Sequence, residues 1–188
     1  MSKLDLAVKF AKQAHEGQFR KGTDRPYIEH PLEVLEIAKG LTDLEDVLCA
    51  AVLHDVVEDA KVSPKQLEKM FGERVAQIVA GESENKREGE PAEKTWRVRK
   101  EETIKHLGNA DRDVKLVCLA DKLSNARAIV RDYSEIGEKL FERFNASKED
   151  EIWYYQTLTT LLADCFYETD AWKELENLME TAPFGEGF

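Results

Sequence analysis

The sequence predicts an all-α fold on three observations. Apolar residues recur at helical spacing through most of the chain, helix start and stop signals bound those stretches, and no segment sustains the period-two alternation of a half-buried strand. At 188 residues the chain fits one domain with a sizeable core, and a single domain over 1–188 is expected. Its motif-bearing core covers about 3–160, with C-terminal helices over 147–180 packing on it. No fixed-period self-similarity suggests a repeat array.

In the first segment, Leu4, Leu6, Ala7, Phe10, Ala11 and Ala14 mark one helical face between Lys3 and His15, and Gly17 suits the cap. A basic loop from Gln18 to Pro31 follows, broken by Gly22, Pro26 and Pro31. Pro31 suits the first position of the next helix, which puts His30 just before its start. That helix ends at Gly40. Thr42-Asp43-Leu44-Glu45 has the capping-box pattern and would open the helix that carries His54. Ser63-Pro64-Lys65-Gln66 has the same pattern with proline at the first helical position, and Gly72 closes that helix. Val75 to Ala80 continues as helix to Gly81. Glu82 to Lys94, with mixed charges, Gly89 and Pro91, reads as a loop. Helical pattern returns from Thr95 to about Leu107 and again from Val114. Ser134 and Ser147 are read as caps for the helices that follow, to Phe144 and to about Met179.

Composition excludes several functions. Hydrophobic residues make up 42% and charged residues 35%, and no apolar run approaches the roughly 18 residues of a membrane span. No membrane partner is expected. The N-terminus lacks a signal-peptide pattern, which points to the cytoplasm. The 3 cysteines, Cys49, Cys118 and Cys165, are far apart within apolar helical runs and read as core. A formal charge of −11 opposes nucleic acid, so an anionic ligand must be held locally.

Two anomalies carry chemistry. His54, Asp55, Glu58 and Asp59 share one arc at the end of the apolar run Val47 to Leu53. An imidazole and three carboxylates in one buried patch need a compensating cation or water, and a divalent metal is the simplest compensation. Asp121 follows Leu116-Val117-Cys118-Leu119-Ala120, where burial is expected, so it needs either a basic partner or a metal. Together with His30 these groups make a mixed nitrogen and oxygen set suited to Mn²⁺, Fe²⁺ or Zn²⁺. His15 and His106, each at the end of an expected helix, read as capping or surface groups, and Tyr27 and Trp96 as core aromatics or stacking surfaces.

Four blocks in order carry a resemblance: Arg20-Lys21, Pro26-Tyr27-Ile28-Glu29-His30-Pro31, His54-Asp55-Val56-Val57-Glu58-Asp59 and Leu119-Ala120-Asp121-Lys122-Leu123-Ser124-Asn125. The chain resembles the HD-domain hydrolases, in particular the hydrolase domain of RelA/SpoT-type proteins and the stand-alone small alarmone hydrolases. The resemblance implies an all-helical enzyme that removes the 3′-pyrophosphate of (p)ppGpp with one divalent ion, usually Mn²⁺. It implies His30, His54, Asp55 and Asp121 as metal ligands and Glu58 and Asp59 as the acidic pair that activates water. It implies Arg20, Lys21 and Asn125 as nucleotide contacts, and Tyr154 as an aromatic that meets the nucleotide. Lys86, Arg87, Arg99 and Lys100 are candidates for the polyphosphate, against a solvated charged loop. Lys122 is divided between solvent and phosphate. Ser124 and Ala128 depart from the histidine and threonine frequent in the long proteins. (p)ppApp hydrolysis, a nucleoside monophosphatase and a non-catalytic alarmone-binding module are the alternatives. The oligomeric state is left open.

Overall fold

The structure, a computed structural model, describes residues 2–60, 62–84, 87 and 89–185. Helices account for nearly all regular structure: α1 (Lys3–Ala14), α2 (Glu29–Lys39), α3 (Glu45–Leu53), α4 (Val56–Asp59), α5 (Pro64–Phe71), α6 (Glu73–Glu82), α7 (Ala92–Asn109), α8 (Arg112–Ile136), α9 (Lys148–Phe166) and α10 (Asp170–Met179). A 3-10 segment, Gly137–Arg143, joins α8 to the last pair. Among the described residues the extended backbone is limited to one antiparallel bridge, Phe19 to Pro26, which closes the basic loop. The fold is all-α, as the periodicity predicts.

The longest helix, α8, lies at the centre and packs against α2, α3, α6, α9 and α10. Beside it, α3 is buried at every position from Val47 to Leu53. A helix apolar on all sides must sit inside the core, and its sequence shows no polar face until His54. The buried side chains form one cluster running from Ala7 in α1 to Phe184 beyond α10. The C-terminal helices thus share the core of the motif-bearing segment.

Several starts follow the caps in the sequence. Ser63 accepts from the Gln66 amide while the Gln66 side chain accepts from the Ser63 amide, a complete capping box. Ser147 caps α9, and Thr169 starts α10 by accepting from the Trp172 amide. Others differ from expectation. The Thr42 hydroxyl accepts from the Leu44 amide, so Leu44 stands at the cap of α3 and no box forms. Ser134 donates to the Arg131 carbonyl inside α8, which runs on to Ile136. Pro31 occupies the third position of α2, where an absent N–H still costs nothing, so His30 sits within the first turn.

Candidate active site

The His54–Asp55 dipeptide interrupts the helix that the sequence suggests. α3 stops at Leu53, two residues turn, and α4 runs only from Val56 to Asp59. The break divides the expected polar face. Glu58 lines a cavity of about 180 Å³ together with His30, His54, Asp55 and Asp121, whereas Asp59 is exposed and lies off the lining. The charge of Asp59 still acts on the Tyr27 hydroxyl.

Four ligand-type side chains converge in that cavity. His30 Nε2 lies 3.0 Å from Asp121 Oδ1 and 3.6 Å from Asp55 Oδ2, and His54 Nε2 lies 2.9 Å from Asp55 Oδ2 and 3.6 Å from Asp121 Oδ1. The two Nε2 atoms are 3.3 Å apart. Their other nitrogens determine what they present. His54 Nδ1 is 2.8 Å from the Ala51 carbonyl, which can only accept, so Nδ1 carries a proton. His30 Nδ1 is 2.9 Å from Ser124 Oγ. His30, His54 and Asp121 are all buried and can offer one ligand atom each to a common ion. A ring of acceptors facing one another at these distances requires a positive centre, and the donor set fits a divalent borderline ion.

The electrostatics agree with that fit. Burial opposes a charge on His54, yet the adjacent Asp55 and Asp121 carboxylates hold its pKa well above that of a free imidazole. Burial also keeps His30 below the ordinary value, with Asp121 opposing. Burial works against both carboxylates, but His54 holds Asp55 low, and Lys122 with the two imidazoles holds Asp121 low. The cluster therefore keeps one proton on an imidazole between two carboxylates, and a cation would displace it.

Around this centre the wall is mixed. The Tyr27 hydroxyl donates to Asp55 Oδ2 at 2.6 Å, which orients that carboxylate. Asn125 Nδ2 donates to Asp121 Oδ1 at 2.6 Å and its Oδ1 accepts from Arg20 Nη2 at 2.9 Å. Lys122 Nζ lies 2.5 Å from Asp121 Oδ2 and points inward despite its offset along α8. Glu58 Oε1 accepts from the Glu84 amide at 2.7 Å. Lys100 and Tyr154 complete the lining, with Lys100 Nζ 4.9 Å from the Tyr154 ring centre. Burial pushes the Glu82 carboxyl up to about 8, with Lys122 pulling the other way.

A second cavity of about 260 Å³ adjoins the first, and Tyr27 and Asn125 line both. Its other walls include Arg20, Lys21, Arg25, Arg131 and Arg143. The basic loop thus faces the centre that the sequence joins it to. Arg87 pairs instead with Glu102, and Arg99 with Glu84 and Thr95. Lys86 lies outside the described residues.

The sequence does not single out Glu82 or Glu84, and it leaves Tyr27 open between a core and a stacking role. Glu82 had a signal: it ends an apolar helix just after Gly81, where an added Cβ would meet Val114 at 2.9 Å. The glycine allows α6 to lie close against α8, and Glu82 arrives beside Cys118 and Lys122. Tyr27 had no such signal, since its partner is set by long-range packing. His15 takes the C-terminal cap of α1, one of the two readings of a helix-end histidine, and is buried rather than on the surface, bonded through Nδ1 to Gln18, with its ring centre 5.0 Å from that of Tyr27.

An all-helical core that brings His30, His54 and Asp121 within reach of one ion, in a cavity lined also by acids and lysines, fits a metal-dependent hydrolase. The chain belongs to the HD domain family, whose sequence model matches residues 7–153. Guanosine-3′,5′-bis(diphosphate) 3′-pyrophosphohydrolase MESH1 of Danio rerio is 39% identical to it over 128 residues, 66% of this chain and 67% of that protein. The bifunctional (p)ppGpp synthase/hydrolase SpoT of Escherichia coli is 40% identical over 83 residues, 44% of this chain and 12% of SpoT. A solved structure of a metazoan ortholog of SpoT, described as hydrolysing ppGpp, superposes with a TM-score of 0.75 at 25% identity, covering 98% of this chain and 97% of the other.

Proposed function

We propose that this enzyme hydrolyses the 3′-pyrophosphate of (p)ppGpp, with His30, His54, Asp55 and Asp121 holding one Mn²⁺. The observation that carries the reading is the pairing of two adjoining cavities, one with the ligand set and Glu58, the other with a basic wall. When bound, the ion supplies an acidified water and neutralises charge on phosphoryl oxygens. Glu58 accepts the proton of the attacking water. The water oxygen joins the phosphorus next to the ribose, the bond from that phosphorus to the 3′ oxygen breaks, the 3′ oxygen takes up the proton that Glu58 received, and pyrophosphate and a 3′-hydroxyl nucleotide leave.

Lys100 and Lys122, which face the smaller cavity, hold the pyrophosphate in this reading, while Arg20, Lys21 and Asn125 receive the nucleoside in the larger one. Tyr154 closes the wall between Lys100 and Lys122. Asp59 contributes field from the rim. Lys86 and Arg87 remain proposals for the outer phosphates, Arg87 after exchange of its Glu102 partner. One domain and a cytoplasmic setting belong to the same reading, in keeping with free cysteines at 49, 118 and 165.

The test is product analysis of Mn²⁺-loaded protein with ppGpp, ppApp and ordinary nucleoside monophosphates. Pyrophosphate release from ppGpp is expected. Asp121→Ala should abolish both metal binding and turnover, and Glu58→Gln should keep the metal while lowering kcat roughly 10²–10⁴-fold. Phosphate rather than pyrophosphate as the product would replace the reading with a monophosphatase.

A further inference from the structure

On the side of His30 away from the cavity a chain of polar contacts leads out to the C-terminal helix. His30 Nδ1 is 2.9 Å from Ser124 Oγ, and Ser124 Oγ is 2.8 Å from Glu33 Oε2. Glu33 Oε1 accepts from Arg127 Nη1 at 2.9 Å, and Arg127 donates from Nε and Nη2 to the two oxygens of Glu174 in α10, each at 2.6 Å. Ser124 is 1% exposed, so its hydroxyl answers to these partners rather than to water.

The direction of the proton follows from what each group can do. An ionised carboxylate only accepts, and a hydroxyl has one hydrogen. Spent on Glu33, that hydrogen leaves Ser124 able only to accept from His30, so Nδ1 must carry the imidazole proton and Nε2 presents a lone pair to the cavity. This is the tautomer a metal requires. The Nδ1 proton of His54 is fixed by a backbone carbonyl of α3, whereas that of His30 depends on side chains from α2 and α8.

We propose that Ser124 and Glu33 are positioning residues for His30, fixing its tautomer and ring orientation, and that the Arg127–Glu174 pair ties the docking of α10 to the metal affinity of the site. The proposal rests on the reading of His30 as a ligand. Without Glu33, the Ser124 hydroxyl is released to turn and donate to Nδ1, which drives the imidazole proton to Nε2 and blocks the ligand atom. A merely structural role for Glu33 would not move that proton.

The test measures Mn²⁺ dissociation constants without substrate, and the ¹⁵N spectrum of the His30 ring in metal-free protein. Ser124→Ala and Glu33→Ala are expected to weaken Mn²⁺ binding roughly 10–100-fold and to lose the pure Nδ1–H signature. Ser124→Thr, which keeps the hydroxyl, should restore both. Glu174→Ala should weaken binding by less, with the tautomer kept, and an unchanged affinity there overturns the tie to α10. Affinity and tautomer unchanged in Ser124→Ala and Glu33→Ala overturn the positioning role. Should Ser124→Ala fail to fold, Glu33→Ala decides alone, because the Glu33 side chain is 37% exposed and removable without a core cavity. Asp121→Ala separates the two readings: if it loses Mn²⁺ while Ser124→Ala keeps it, the metal site stands and this proposal falls. A parent protein that binds no Mn²⁺ overturns the metal reading itself.

Discussion

Tyr27 shows how much a single buried hydroxyl decides. Its O–H donates to the same Asp55 oxygen that lies 2.9 Å from His54, so it determines which way that carboxylate turns. Burial first, and then the Asp55 charge, push the phenol above its ordinary pKa, which keeps the proton on Tyr27 as donor. Tyr27→Phe preserves the ring and removes the donor. Mn²⁺ affinity should fall about tenfold, as for other groups that orient a ligand, and titration calorimetry would read it; an unchanged affinity would show that Asp55 is held by the cluster alone. The ligand-type residues were legible because a histidine beside an acid at the end of an apolar run, and an aspartate inside one, are costly without compensation. Tyr27 was not legible, because an aromatic before a helix is ordinary and its acceptor lies 28 residues away.

At the scale of elements, the close approach of α6 and α8 is the feature on which the acidic wall depends. An added Cβ on Gly81 would come within 2.9 Å of both Val114 methyl groups. Valine is stiff about its first side-chain torsion, so those methyls have little room to turn away. Gly81→Ala gains about 1 kcal/mol of helix propensity but should cost about 1–3 kcal/mol in overpacking. A net loss of stability in urea denaturation is expected, relieved by adding Val114→Ala. A more stable Gly81→Ala would show that the helices separate freely. Helix content was readable from periodicity, and starts with a polar cap of their own, such as Ser63 and Ser147, were placed well. The start at Leu44, the interruption at His54 and the passage of α8 through Ser134 were not, because the helix limits there are set by packing against other helices rather than by local hydrogen bonds.

For the molecule as a whole, a net charge of −11 coexists with lysines that point inward, and the cost falls on the acids packed beside them. Glu151 on α9 is buried and faces Lys100 of α7 and Lys122 of α8, with Asp150 and Glu84 adding like charge. Burial raises its carboxyl to about 7, more than the two lysines lower it. In the unfolded chain a glutamate titrates near 4.3. Between those values the folded protein holds a proton that the unfolded chain has released. The contribution to stability is therefore full below about 4.3 and is lost as pH rises through about 7. The span corresponds to a loss on the order of 3 kcal/mol for this group alone. Glu151→Gln stays neutral at every pH and should flatten that dependence. Urea denaturation at pH 4 and pH 7.5 would then find the variant little different from the parent at the lower pH and about 1–3 kcal/mol more stable at the higher one. A variant that differs equally from the parent at both would mean that Lys100 and Lys122 keep Glu151 ionised, and that its burial is stabilised by those ion pairs.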